Sequence, residues 1–236
     1  MTILAVGFKG KKLVFHIERA DKSMVYLICF LGMEGRFQYT EGDHTGFGLE
    51  IGEVKQMKAH TLCILQERVW FSDSRHFGFV KVVSTEAEIK AVFKDTGPDW
   101  LNDNITIEYF TAKLRNKRIK DHTIAWYLLE RQMDVSGVGN YLRAEILYAC
   151  AMAPTRKLSE LTDGDIQLLY EWTLYIINES YRCNGLTIAT YRDPEGVLGT
   201  FQPKVYKQKV DPLGNPVVKQ QFEDGRTTHW VPAVQR

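Results

Sequence analysis

The chain has 236 residues, of which 44% are hydrophobic and 25% are charged, and its formal net charge is +1. This composition excludes wholesale disorder and suffices for one large domain or two small ones. We find no signal peptide and no apolar run long enough to span a membrane, so we expect an intracellular protein.

The first hundred residues are predicted to form β-structure. Short runs of β-forming residues follow one another at fairly regular spacing, separated by glycine and charged turns. This pattern is typical of an antiparallel sandwich or barrel. The predicted strands are Leu13–Ile17, Met24–Phe30, Thr61–Leu65 and Phe77–Val83.

Helices are predicted after a boundary between residues 97 and 112. Helical periodicity begins near Thr111, and a second helix is expected from Asn140 to Met152. A third helix begins near Thr162, which forms a weak capping box with Asp165, and ends near Asn184. The predicted inward residues are Ile119, Ile124, Leu128 and Leu129, followed by Ile166, Leu169, Tyr170, Thr173, Ile176 and Ile177.

The tail is predicted to return to β-structure. Segments Lys204–Tyr206 and Pro216–Lys219 flank a turn at Pro212–Asn215, and a second turn at Asp224 leads into Arg226–Trp230.

The four cysteines share no metal-ligand spacing. Cys29, Cys63 and Cys150 lie in apolar runs, so we expect buried free thiols there, with Cys183 as the exception.

Basic charge concentrates in two stretches of the second half. Residues 111–157 carry 9 Lys and Arg against 4 Asp and Glu, and residues 201–236 carry 6 against 3, whereas residues 158–200 carry 2 against 7. Two such stretches either converge on one phosphate backbone or form separate solvated faces. The turn Gly137-Val138-Gly139-Asn140 directly precedes a predicted helix, where free N–H groups suit a phosphate, although a plain helix-cap turn explains the tetrapeptide equally well.

Longer segments resemble one protein family along the whole chain and in family order. The segments are Gly10–Phe15 (first hairpin), Leu31–Arg36 (Leu-Gly-Met), Asp73–Gly78 (Asp-Pro-Arg-Arg-Phe-Gly), Leu128–Leu147 with Ala153-Pro154 (helix–two-turn–helix) and Gly185–Phe201 (a loop over an everted base). The family is that of the formamidopyrimidine-DNA glycosylases and endonuclease VIII.

The resemblance implies an α+β fold, with an antiparallel β-sandwich domain, a helical helix–two-turn–helix domain and a zincless β-hairpin finger. The implied bounds are 1–103 for the sandwich domain, 104–112 for a linker, 113–200 for the helical domain with its lesion loop, and 201–236 for the finger.

The tail departs from the four-cysteine zinc finger of most family members. Val231 and Val234 stand where the last two cysteines would be, and no cysteine follows Cys183. A tetrahedral site needs four ligands, which His229 alone cannot supply, so we expect no zinc ion here. The family resemblance further implies that the protein uses no metal and no organic cofactor. A zincless finger resembles the endonuclease VIII-like branch of animals, plants and giant viruses, with Val231 and Val234 packed in place of the metal.

The resemblance also assigns the DNA contacts. Met33, Arg75 and Phe77 would fill the gap left by an everted base, although core packing is the alternative for Met33 and Phe77. The implied DNA-binding residues are Lys12, Gly139, Asn140, Arg143 and the finger arginine Arg226.

The N-terminal residues differ most from the family pattern. Family enzymes begin with Pro-Glu, whose proline amine attacks the sugar, whereas this chain opens Met1-Thr2. We therefore expect the family's first helix and first strand to be absent, and with them the proline nucleophile and its glutamate. Lys11 matches the family's catalytic hairpin lysine, and a shift of the match by one residue would assign this role to Lys12 instead. Either lysine could also be a solvent-exposed charge without a catalytic role. Either the start is misassigned and the true protein is longer, which we favour, or the chain binds damage without cleaving it, or Lys11 or the Met1 or Thr2 amine substitutes.

The leading hypothesis is a DNA glycosylase with apurinic/apyrimidinic lyase activity that removes oxidised bases, with pyrimidines favoured. The alternatives are a non-catalytic damaged-DNA-binding protein and an RNA-binding helix–two-turn–helix protein. We expect a monomer that binds duplex or damaged DNA, not membranes, in the nucleus, the cytoplasm or a viral DNA compartment. We also expect residues 1–100 to be less stable than residues 113–236, as hydrogen exchange would test.

Overall fold

The computed structural model describes residues 1–32, 35–57, 61–188, 193 and 196–236, with backbone only at 51, 53–57 and 61–67. They form an α+β fold, as predicted, that divides into two compact units. Unit 1 comprises Met1–Thr85 and Ile188–Gly199, and unit 2 comprises Glu86–Thr187 and Thr200–Arg236. No described helix is both long enough and apolar enough to cross a membrane.

Unit 1 contains two antiparallel sheets. One has the strand order β1-β2-β3-β7 and the other the order β4-β6-β5. The strands are β1 Thr2–Lys9, β2 Lys12–Glu18, β3 Met24–Phe30, β4 Arg36–Gln38, β5 Thr45–Met57, β6 Thr61–Ser72 and β7 Phe79–Val83.

A core of side chains from both sheets joins them into the predicted sandwich. Phe15, Leu27 and Cys29 are buried, and Phe37 and Phe47 of the other sheet pack against them. The centroids of the Phe15 and Phe37 rings lie 5.9 Å apart. Alternate residues of a strand point to the same side of a sheet, which is why the apolar positions of β2 and β3 meet on one face.

Strand β1 was missed by the sequence patterns. It lies at the edge of its sheet, and β2 is its one partner among the strands that the structure describes. Large apolar side chains on it are exposed, among them Leu4 at 56% and Val6 at 54%. With neither of its faces buried, β1 lacks the alternation of apolar and polar residues that identifies a half-buried strand. Strands β4 and β5 were also missed, and β7 begins at Phe79 rather than at residue 77.

Unit 2 contains the helices and a small hairpin. The helices are α1 Glu86–Phe93, α2 Ile107–Leu114, α3 Ile124–Glu130, α4 Asn140–Ala149 and α5 Asp163–Arg182, and the hairpin strands are β8 Val218–Gln221 and β9 Thr227–Trp230. Helix α2 starts earlier than predicted because the Thr106 side chain accepts a hydrogen bond from Tyr109 N–H. Ile119 is buried as predicted, but it lies between α2 and α3 rather than in a helix.

Residues ahead of the predicted linker pack into unit 2. Ser136, fully buried, donates its hydroxyl to Gly97 O at 3.0 Å, and its N–H donates to Pro98 O at 2.7 Å. The Trp100 ring contacts the Phe110 ring with centroids 5.1 Å apart. These contacts attach residues 97–100 to the second compact unit, which begins at Glu86, whereas the sequence placed the end of the first domain at residue 103.

The predicted capping box at α5 is present. Thr162 Oγ1 accepts from Asp165 N–H at 3.1 Å, and Asp165 Oδ2 accepts from Thr162 N–H at 2.8 Å. Arg156 adds two hydrogen bonds to the same carboxylate, at 3.0 and 2.7 Å. The Arg156 hydrogen bonds, with those from Thr162, hold the pKa of Asp165 well below its usual range.

This cap predicts an acid-dependent stability. A lowered folded-state pKa stabilises the fold above the unfolded pKa, and this contribution is lost as pH falls through the folded pKa. We expect Asp165→Asn to lower the free energy of unfolding by about 2 kcal/mol at pH 7, with a gap to the parent that narrows below pH about 4. The control Asp163→Asn removes a carboxylate that is 91% exposed and should cost under about 1 kcal/mol. A gap for Asp165→Asn that stays constant down to pH about 2 would contradict the assignment.

The tail corrects one prediction. Lys204–Tyr206 is not a strand, because its three backbone N–H groups donate to the carboxylate of Glu145 at 2.8, 3.0 and 2.8 Å. Pro216 forms only an isolated bridge with Val210, so the first hairpin strand begins at Val218.

Three of the four cysteines are described with their side chains, and Cys63 lies outside that set. Cys29 and Cys150 are buried free thiols and Cys183 is half-buried. Burial raises the pKa of Cys29 to about 11 and the pKa of Cys150 to about 12.

Candidate nucleic-acid interface

In unit 1, Lys11 lies in the two-residue turn between β1 and β2. Gly10 and Lys11 have φ values of 52° and 65°, and the flanking Lys9 and Lys12 lie opposite each other as the last pair of the antiparallel strands β1 and β2. Positive φ at both central residues is the requirement of a type I′ turn, which suits the twist of a hairpin. The turn leaves Lys11 exposed at the tip of a hairpin that carries three lysines.

A second element of unit 1 is the loop from Asp73 to Gly78, which contains the predicted gap-filling residues Arg75 and Phe77. The Asp73 carboxylate is buried and accepts from Arg75 N–H at 3.2 Å and from Gly78 N–H at 2.5 Å. The Arg75 guanidinium lies 5.0 Å from the centre of the Phe77 ring. Phe77 is 54% exposed, so it is not the core residue that the alternative interpretation required.

Backbone contacts bring the hairpin and the loop to one end of the sheet. Leu31 N–H donates to Lys11 O at 3.1 Å. A Cβ on the following residue, Gly32, would lie 2.8 Å from Phe77 C, so only glycine allows this approach. Lys11, Arg75 and Phe77 therefore share one end of unit 1. Met33 was predicted beside them, but it lies outside the described residues.

Two histidines that the sequence patterns did not single out lie beside this loop. The rings of His44 and His76 are 6.1 Å apart, and both residues have positive φ. They line an open cleft of about 460 Å³ together with the buried Asp73. No spacing rule joins residues 44 and 76, so only the fold reveals the pair.

In unit 2, the predicted helix–two-turn–helix is formed by α3, residues 131–139 and α4. The Gln132 side chain organises the turns: Nε2 donates to Leu128 O and Val138 O, each at 3.1 Å, and Oε1 accepts from Gly137 N–H at 3.1 Å. Gly137 has a φ of 111°, which glycine adopts at little cost. Gln132 belongs to the motif, but no sequence pattern indicated this role.

The N-terminus of α4 has the form expected of an anion site. Its N-cap residue, Gly139, makes no side-chain cap hydrogen bond. The first N–H groups of such a helix, with the positive end of its dipole, favour a phosphate. The next residue, Asn140, donates one Nδ2 hydrogen to Thr227 O at 3.0 Å, and the amide carries a second.

Arg143, predicted to bind DNA, is fully buried and therefore cannot reach a phosphate directly in this conformation. Its guanidinium donates to Ala125 O at 3.0 Å, to Asn140 Oδ1 at 2.8 Å and to the Asp224 carboxylate. Residue i+3 of a helix lies on the same face as residue i, which explains how Arg143 reaches Asn140.

The hairpin of β8 and β9 presents Arg226 at its exposed turn. The Asp224 side chain is fully buried and accepts from Arg226 N–H at 2.8 Å. Glu223 accepts from Thr123 N–H and Thr123 Oγ1, both at 2.9 Å, at the start of α3. Burial raises the pKa of Glu223, but the hydrogen bonds from Thr123 and His122 outweigh it and leave this pKa below the ordinary value.

The tail does not fit a zinc ion. Among the residues that the structure describes, no three His, Cys, Asp or Glu side chains are grouped as metal ligands. Instead Val231 is fully buried in an apolar cluster with Ala144 of α4 and Val205, and Val234 packs against it. Tail packing of this kind fixes the hairpin on α4 without a metal.

Two family models match the second half of the chain. The model of the formamidopyrimidine-DNA glycosylase H2TH domain matches residues 96–192, and that of the formamidopyrimidine-DNA glycosylase C-terminal domain matches residues 198–236.

Relatives match nearly the whole chain. The chain is 29% identical to the formamidopyrimidine-DNA glycosylase of Listeria innocua, covering 99% of this chain and 82% of the relative. It is also 29% identical to that of Rhodopseudomonas palustris, covering 100% and 84%. Among solved structures it is similar to MutM (Fpg) of Thermus thermophilus, with a TM-score of 0.78, 26% identity and coverage of 99% and 82%. A Lactococcus lactis Fpg structure with THF-DNA and an inhibitor matches with a TM-score of 0.76, 25% identity and coverage of 100% and 82%.

Proposed function

The chain belongs to the formamidopyrimidine-DNA glycosylase family, and we propose that it is a base-excision repair glycosylase with lyase activity at abasic sites. The observation that supports this most is the grouping of Lys11, Arg75 and Phe77 at one end of unit 1. An amine, a guanidinium and an exposed aromatic ring are the groups needed to attack a sugar and to replace an everted base.

The proposed lyase chemistry, which acts on a sugar that has already lost its base, uses the amine of Lys11. Its unprotonated Nζ attacks the C1′ aldehyde of an opened abasic sugar, and loss of water gives an imine. The imine acidifies the hydrogens on C2′, so a water molecule can take one of them while a C2′=C3′ double bond forms and the C3′–O bond breaks, which releases the 3′ phosphate. Arg75 and Phe77 occupy the gap in the duplex, with the Phe77 ring stacked between bases and Arg75 donating to the unpaired partner base.

Unit 2 supplies the proposed contacts to the phosphate backbone of DNA. The uncapped start of α4, the second N–H of the Asn140 amide and the exposed Arg226 are all donors suited to phosphate. Fixed contacts of this kind give register on the duplex rather than sequence specificity.

We propose oxidised bases as substrates, with pyrimidines preferred over purines. The support is the resemblance of the zincless tail to the endonuclease VIII-like branch, and the apolar cluster around Val231 is consistent with it.

The test is an excision assay on otherwise identical duplexes that carry one 5-hydroxyuracil, one formamidopyrimidine or one unmodified base. We expect cleavage of both damaged duplexes, faster with the pyrimidine lesion. Phe77→Ala should lower excision at least tenfold, because nothing then fills the emptied stack. Tyr175→Ala is the matched control, since Tyr175 on α5 is 56% exposed against 54% for Phe77. Equal handling of damaged and intact duplexes would refute the proposed function.

A further inference from the structure

Arg143 and Asp224 form a buried ion pair whose presence is not explained by a contribution to the stability of the fold. Both side chains have no exposed surface, and Arg143 Nε finds no hydrogen-bond partner among the described residues. Burial lowers the pKa of Arg143, which is the signature of a charge held away from water. An imperfectly satisfied buried ion pair stabilises a fold little or not at all relative to apolar residues of the same size.

What the pair does is fix the geometry of two other residues. Arg143 donates to Asn140 Oδ1 at 2.8 Å, which dictates which end of the Asn140 amide is oxygen and which is nitrogen. Nδ2 then faces Thr227 O on β9, with one N–H left to donate. The opposite orientation would present the amide oxygen at the start of α4, where it would repel a phosphate.

Asp224 extends the same network to the finger. One carboxylate oxygen binds Arg143 and the other accepts from Arg226 N–H at 2.8 Å. The turn that carries Arg226 is thereby joined to the helix that begins with Asn140. The neighbouring Glu223 joins this turn to the start of α3 through Thr123.

We propose that Arg143 and Asp224 are positioning residues, which orient the Asn140 amide and the Arg226 turn so that both donate to one stretch of DNA backbone. This inference rests on the proposed function, because it presumes that Asn140 and Arg226 bind phosphate. Arg143 itself touches no DNA and acts through Asn140 and Arg226.

The test measures binding to a duplex with a tetrahydrofuran abasic analogue, by fluorescence anisotropy at fixed salt. The double replacement Arg143→Met/Asp224→Leu exchanges the ion pair for apolar residues of similar size, which a fold tolerates. We expect its affinity to fall about tenfold while the thermal midpoint changes little. In a background with Asn140→Ala/Arg226→Ala, the same replacement should change affinity less than about twofold, because the residues it positions are gone.

The outcomes separate the positioning role from the proposed function. If Asn140→Ala/Arg226→Ala binds as tightly as the parent, the proposed DNA interface is wrong. If that variant loses affinity but Arg143→Met/Asp224→Leu binds as tightly as the parent, the positioning role is wrong. The positioning role is also wrong if Arg143→Met/Asp224→Leu lowers affinity by the same factor in the parent and in the Asn140→Ala/Arg226→Ala background. Arg143→Lys provides a milder second variant: one ammonium cannot bond Ala125 O, Asn140 Oδ1 and Asp224 together, so a loss of about threefold or more is expected. Unchanged affinity in that variant would also overturn the inference.

Discussion

Replacing Glu145 with leucine is expected to lower the free energy of unfolding by about 3–5 kcal/mol. Glu145 is 2% exposed, and its carboxylate accepts all three N–H groups of Lys204, Val205 and Tyr206. Burial raises the pKa of Glu145, and the three amide donors act against that rise by favouring the ionised form. Leucine fills the space but leaves these donors without an acceptor.

Glu145→Gln is the control for this prediction. Its remaining oxygen still accepts from Val205 and Tyr206, as Oε1 does now, whereas its NH₂ group cannot accept from Lys204. We therefore expect a loss of about 1–2 kcal/mol for Glu145→Gln in urea unfolding, clearly smaller than that for Glu145→Leu. If the two variants unfold at the same urea concentration, the amide bonds are not the source of the stability.

Lys11→Ala is expected to abolish covalent trapping on abasic DNA. If Lys11 forms the proposed imine, borohydride adds hydride to its C=N bond and leaves a stable amine link between protein and sugar. The parent should give this adduct on a duplex with a natural abasic site, and Lys11→Ala should give at least about tenfold less. Denaturing gel electrophoresis separates the adduct from free DNA.

The matched control for trapping is Lys22→Ala. Lys22 lies in the turn at the opposite end of strand β2, with a φ of 67° against 65° for Lys11. Its side chain is 78% exposed, and its amine forms an exposed ion pair with Glu18 at 3.0 Å. Lys22→Ala should keep the full adduct. An adduct that survives Lys11→Ala would assign the chemistry to another amine, such as that of Met1.

Local patterns predicted the parts of the fold that local physics determines. The Thr162–Asp165 capping box and the strand Met24–Phe30 are found where the sequence placed them. Both depend on residues a few positions apart, such as a cap at i and i+3 or apolar runs in one strand. The family resemblance was similarly reliable because it rests on motifs in order along the whole chain.

What failed depends on contacts between distant residues. The Lys204–Tyr206 segment has β-forming residues, but a carboxylate 59 residues earlier takes its amides. Arg143 was assigned to DNA from its place in the helix–two-turn–helix resemblance, whereas Asp224, 81 residues later, holds it in the interior. Neither partner could be identified from spacing, because each pair is brought together only when the tail folds back onto α4.

The buried thiols have a consequence for the conditions under which such a protein works. Oxidants attack the thiolate form of cysteine, and at pH 7 a pKa of about 11 leaves roughly one Cys29 side chain in ten thousand in that form. Cys150, with a pKa of about 12, is less reactive still. The burst of peroxide that oxidises bases in DNA would therefore leave these two sulfurs reduced. Under the proposed function, the oxidants that create the substrates would therefore leave these two core positions unmodified.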